Sequence, residues 1–191
     1  MTNGNGKTSG AIAHDWWRSL QPAPDRGYKG DTGALARLRR ASLIDAMTEE
    51  SVVVLHRRLG LARRDFPRAA LVACVLAHVR EHEPRLKVAR AAGPPSNEEN
   101  GVLSALRFRR LLTMRGEADC ATAFRRLVAL LGGKVNVKDL AESLLDWNDE
   151  DKGDRRRTHW AFDYYGAGDA APDDAPEAGP DARRETETET A

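Results

Sequence analysis

Apolar residues recur at helical spacing through most of the chain, and no stretch of four or more residues alternates in the manner of a strand. Ile12, Trp16, Trp17 and Leu20 mark a first short helix, stopped by Pro22 and Pro24. The adjacent tryptophans read as core anchors. Asp31 or Thr32 caps a second helix with apolar positions Leu35, Leu38 and, at its far end, Leu43. Thr48 with Glu49 and Glu50 opens a third helix through residues 52–59, closed by Gly60. Asp65 caps a fourth that starts near Pro67, a favoured first-turn position. Its run 69–79 is almost wholly apolar and predicts the buried central helix of the N-terminal half, ended by Pro84.

Gly93-Pro94-Pro95 breaks the chain, and Ser96 with Glu99 reads as a capping box. A helix over 97–115 follows, ended by Gly116. Asp119 caps 120–131, with Phe124, Leu127, Val128 and Leu131 inward and Arg125 and Arg126 outward. Gly132-Gly133 terminates it. Asn136 caps 137–147, with Leu140, Leu144 and Trp147 on one face, and Asp154 caps a last helix over 155–165 that stops at Gly166.

The fold class is therefore all-α, with two small helical subdomains. We expect a disordered start (1–10), an N-terminal helical subdomain (11–83), a linker (84–95), a short-loop helical bundle (96–166) and a disordered acidic tail (167–191). No run approaches a membrane span and no signal peptide pattern opens the chain. Cys74 and Cys120 lie far apart in predicted helices, neither a disulfide framework nor a metal knuckle, and the expected compartment is the cytoplasm.

Charge changes the picture. The net charge is +1, but residues 168–191 hold eight acids against Arg183 and Arg184. The rest of the chain carries 30 − 2 = 28 basic and 29 − 8 = 21 acidic residues, a balance of +7. A basic body suits a polyanionic partner. The basic residues cluster on predicted helices: Arg37, Arg39 and Arg40; Arg57 and Arg58 with Arg63 and Arg64; Arg107, Arg109 and Arg110; Arg125 and Arg126; and Lys152 with Arg155, Arg156 and Arg157. Arginine outnumbers lysine in them, and its planar fork matches phosphate. In residues 106–112 (LRFRRLL), Arg107 stands four residues from both Leu103 and Leu111, inside the apolar row. It either buries its stem or faces an anion. The competing reading pairs these arginines with acids on neighbouring helices. No base-reading helix stands out, so nucleic acid would be held by its backbone.

Catalytic signals are sparse. His78-Val79-Arg80-Glu81-His82 matches an inverted zinc-protease pattern, but it falls at a helix end before Pro84 and lacks a third ligand. There is no phosphate loop, nucleophile elbow or Cys-His pairing. Carboxylates concentrate at caps and in the tail. The expectation is a non-enzyme without metal or cofactor.

Several motifs together resemble one family. They are Trp16-Trp17; Gly30-Asp31 leading to Leu38-Arg39-Arg40-Ala41; LRFRRLL at 106–112; FRRLVALL at 124–131; and WAFDYY at 160–165. The chain resembles the CasB small subunit of the type I-E CRISPR surveillance complex, Cascade, over about residues 11–166. The resemblance implies an all-helical, non-enzymatic subunit present in two copies. Its partners would be the backbone and large subunits, a second copy of itself, guide RNA and both strands of target DNA, which it would help hold in the R-loop. The matching basic positions are Arg39, Arg40, Arg107, Arg109, Arg110, Arg125 and Arg126, and more loosely Lys152, Arg155 and Arg156. The acidic tail departs from the family pattern. Two other readings stand beside it: a protein-protein adaptor whose arginines make interface salt bridges, and a stand-alone helical DNA-binding regulator.

Overall fold

The computed structural model describes residues 6–95 and 101–166, whose regular elements are helices apart from one short strand pair. α1 (Ser9–Leu20) is capped by Thr8, whose side chain accepts from the Ala11 N–H. It therefore begins inside the segment expected to lack structure. α2 (Thr32–Arg40) is capped by Asp31, which accepts from the Ala34 N–H at 2.8 Å. α3 (Leu43–Met47) is a separate short helix and not the tail of α2, because Ser42 and Asp45 form a reciprocal capping box. α4 (Glu50–Leu59) ends at Gly60, left-handed at φ 63°. α5 (Phe66–Leu76) has Pro67 in its first turn and is fully buried from Ala69 to Leu76.

α5 ends sooner than its apolar run suggests. Beyond Leu76 the chain turns, and β1 (Glu81–His82) pairs in parallel with β2 (Lys134–Val135). The Arg80 and Glu81 N–H groups donate to the Gly133 carbonyl at 2.8 and 3.2 Å, which draws them out of the helical ladder. A two-residue pair leaves no alternation to read in the sequence. It also removes the helix that the His78/His82 pattern required. His78 lies in the turn, and His82 lies in β1, where its Nδ1 accepts from the Val137 N–H at 3.1 Å.

α6 (Val88–Ala92) occupies the expected linker. The Val88 N–H donates to the Asp139 carboxylate at 2.8 Å, and the backbone at Gly93 lies directly against that of Tyr164. α7 (Ala105–Thr113) starts well after residue 97. Leu103 is held outside it: its N–H donates to the Ala92 carbonyl at 3.0 Å, and its carbonyl accepts from Tyr164 Oη at 2.6 Å. The proposed Ser96–Glu99 capping box falls outside the described residues. α8 (Glu117–Leu130) follows Gly116 at φ 76°, so Asp119 sits in its first turn rather than at its cap. α9 (Val137–Trp147) is capped by Asn136, and α10 (Gly153–Tyr164) closes the described chain.

The two halves share one core. α8 and α9 pack on α5, and α1 lies along α9, with the Gly10 N–H donating to Glu142 at 3.2 Å. Phe124, Trp147 and Trp160 meet edge-to-face at centroid distances of 4.9, 5.4 and 5.1 Å. Trp160 Nε1 donates to the buried Ser143 hydroxyl at 2.8 Å. Trp16 and Trp17 are buried, and their indole N–H groups reach the Ser51 and Val79 carbonyls at 2.8 and 3.4 Å.

Two of these contacts can be tested directly. A Cβ at Gly93 would run into the Tyr164 carbonyl. Gly93→Ala should destabilise by about 1–3 kcal/mol, as overpacking does, and a Tm within a degree of wild type would refute the close approach. The His14 and His82 rings meet at a tilt of 50° with centroids 4.5 Å apart, and burial, the largest cause, holds both below the ordinary histidine value of 6.5, as it does His78. A folded value below the unfolded one means stability present above 6.5 and lost as pH falls through the folded value. Asp139, pushed up by burial, acts in the opposite sense, but from an ordinary value of 3.8. Tm should drop between neutral pH and about 5.5, with ring-proton titrations of the three histidines centred below 6.5; midpoints above that value would reverse the sign.

Candidate nucleic-acid interface

α7 buries Phe108 and Leu111, and the Phe108 ring stacks on Tyr164 at 3.8 Å. That docking fixes which way its arginines face. Arg107 and Arg110 flank Leu111 and look across a groove towards Arg126 of α8. The groove holds about 630 Å³, and its floor includes Leu103, Leu111, Met114 and Leu127. All three arginines are exposed, and none has a carboxylate partner among the described residues. A cation left unpaired beside an apolar floor keeps its full attraction for an anionic ligand. Arg109 stands elsewhere: at 100° per residue it is about 200° round α7 from Arg107 and does not line the groove.

Arg125 plays a different part. It is half-buried, and its guanidinium donates to the carbonyls of Ala41 at 2.9 Å and Leu38 at 3.4 Å, at the C-terminal end of α2. It thus stitches α8 to α2 at the end where the helix dipole is negative. Arg39 donates from Nε to the Ala77 carbonyl at 2.7 Å, in the turn after α5. Arg39 and Arg40 remain exposed, on the end of α2 that this stitch holds against α8.

The remaining sequence candidates are not in the groove. Lys152 and Arg156 line a second crevice of about 800 Å³ with Asp65, Asp146, Asp149, Glu150 and Asp151. Arg156 pairs with Asp146 at 2.6 Å, and Arg68 with Asp149 at 2.8 Å. Arg155 is exposed outside both. The competing expectation of arginines paired within the body therefore describes this crevice, while the free-cation expectation describes the groove. Sequence reasoning missed the groove floor. Leu130, 45 % exposed at its mouth, and Met114 belong to no inward arc, and a large apolar residue off the arc was the available signal.

The sequence profile described as CRISPR-associated protein Cse2 matches residues 34–165. The chain belongs to the Cse2 family of CRISPR-associated proteins. Two crystal structures share the Cse2 fold seen here. CasB from Thermus thermophilus is 26 % identical, with a TM-score of 0.62, covering 84 % of this chain and 99 % of that one. A Cse2-family CRISPR-associated protein from the same species is 25 % identical, with a TM-score of 0.64 and the same coverage of 84 % and 99 %. No curated protein matches the chain. The Cse2 match spans every arginine of the groove, while Trp16-Trp17 and Gly30-Asp31 precede it. Among the described residues no helix is long and apolar enough to cross a membrane.

The neighbours Arg125 and Arg126 should separate cleanly on mutation. Arg125→Ala removes a charged donor from two helix-end carbonyls and should cost about 1–3 kcal/mol. Arg126→Ala should leave thermal stability within about 0.5 kcal/mol, as exposed substitutions do. Equal losses in the two melts would show that Arg126 is also structural.

Proposed function

We propose that this protein is a non-catalytic subunit of an RNA-guided CRISPR surveillance complex of the Cascade type, acting in the cytoplasm. In this reading it holds nucleic-acid backbone without reading sequence and stabilises the R-loop. The observation that carries it is the convergence of Arg107, Arg110 and Arg126, none paired with a carboxylate among the described residues, on one groove. Arg39 and Arg40 extend the basic surface along the end of α2, Arg109 contributes from the far side of α7, and Arg125 positions α8. We assign no groove contact to Lys152, Arg155 or Arg156, since the first and last face acids. Partners are guide RNA, target and displaced DNA strands, the backbone and large subunits, and a second copy of the chain.

R-loop formation exchanges one duplex for another of similar stability, so weak contacts to the strands can tip it. Among the described residues no aromatic side chain lines the groove, which favours an electrostatic grip over base stacking. The apolar floor favours a second reading, in which a partner protein's segment docks there and the arginines pair with its acids.

Simultaneous Arg107→Glu, Arg110→Glu and Arg126→Glu should leave the complex assembled by size exclusion and speed the loss of target DNA. At about 1 kcal/mol per charge-assisted contact, three contacts amount to roughly a hundredfold in affinity. The log-log salt slope should shrink by about 0.7–0.9 per lost phosphate contact. A folded variant that fails to enter the complex would favour the docking reading. One that assembles and retains DNA like wild type would place the contact elsewhere.

A further inference from the structure

We propose that the protein carries its own ligand for this groove: the acidic segment 169–189 binds between α7 and α8 and competes there with nucleic acid. That the competitor is nucleic acid rests on the function proposed above; the docking itself does not.

The point of departure comes first. α10 ends at Tyr164, whose ring stacks on Phe108 of α7 at 3.8 Å and whose hydroxyl bonds the carbonyl of Leu103, a residue of the groove floor. Tyr165 meets Phe108 edge-on at 6.4 Å. The last described residues are thus in direct contact with α7. α7 has 9 residues and is about 13 Å long, whereas residues 167–191 can span up to roughly 80 Å. The segment needs only a fraction of its reach to lie along the groove.

Charge selects the destination. Asp169, Asp173, Asp174, Glu177, Asp181, Glu185, Glu187 and Glu189 against Arg183 and Arg184 give −8 + 2 = −6. The other large crevice among the described residues is lined with acids and repels such a segment. The α7–α8 groove offers three arginines without a carboxylate partner among the described residues and an apolar floor, and the segment sets alanines and prolines between its acids. Exposed ion pairs are individually weak. A tether replaces bimolecular encounter with an effective concentration of order millimolar, at which weak pairs are occupied. A polyanion that neutralises the same arginines competes with the segment for them.

The test uses the full-length chain. Cys74 and Cys120 are buried, so a spin label on Ala178→Cys reacts at one place. At low salt, where charges act over more than about 10 Å, the label should broaden the amide resonances of Leu111, Met114, Arg126 and Leu130. High salt, a single-stranded DNA oligonucleotide, or the Arg107→Glu, Arg110→Glu and Arg126→Glu triple variant should each restore them. No broadening at the groove, or broadening that survives the triple variant, overturns the docking. A second arm replaces the segment's eight acids by their amides and measures oligonucleotide binding by anisotropy. Neutralisation should tighten binding at least roughly fivefold with the arginines intact and by little in the triple variant, a non-additivity that marks direct coupling. An equal gain in both backgrounds would reduce the segment to a general field and overturn the competition. Groove broadening in a chain that binds no oligonucleotide in either form would sustain the docking and defeat the nucleic-acid reading.

Discussion

From Ala69 to Leu76, α5 has no side that water can wet. A helix apolar all round exists in a soluble protein only if neighbours cover every face, and here α2, α3, α4, α8 and α9 do so. Its small residues, Ala69, Ala70, Ala73 and Cys74, let those neighbours approach closely. No set of helices drawn from the first half alone closes around it. This is why the chain does not separate into two cores at residues 84–95, and why α1 lies along α9, far away in sequence. The orientation of α8, and through it the placing of Arg126, follows from this requirement.

What was legible in the sequence was local. Asp31, Gly60, Gly132-Gly133 and Asn136 act where they were read, because a cap or a left-handed glycine answers to its own few neighbours. The errors arise where distant residues decide. The end of α5 is set by Gly133, the delayed start of α7 by Ala92 and Tyr164, and the strand pair by two segments some fifty residues apart. The family resemblance succeeded because it used the order of several motifs, which carries long-range information that single-helix patterns lack.

The arginines show the same division. In sequence Arg125 and Arg126 are twins. In the fold one joins two helices through backbone carbonyls and the other lines the groove, exposed. Arg107 and Arg156 likewise read alike, yet Arg156 is held by Asp146 and Arg107 has no carboxylate partner among the described residues. Composition shows a surplus of cations; only the placement of carboxylates shows which of them stay without an acid among the described residues. Packing consumes some cations, and the groove is made of those left over.

The burial of α5 also bears on how the chain comes off the ribosome. α5 is complete at Leu76, but α8, which covers one of its flanks, begins at Glu117, and α9 begins later still at Val137. An almost continuous apolar helix therefore emerges during synthesis well before its lids exist. Over that interval the nascent chain carries an exposed sticky surface, and aggregation competes with folding. Native closure waits on contacts between the chain's opening and closing thirds, a high-contact-order step that slows folding. The same apolar surface that later holds the core together is, until the last helices are made, the chain's main hazard.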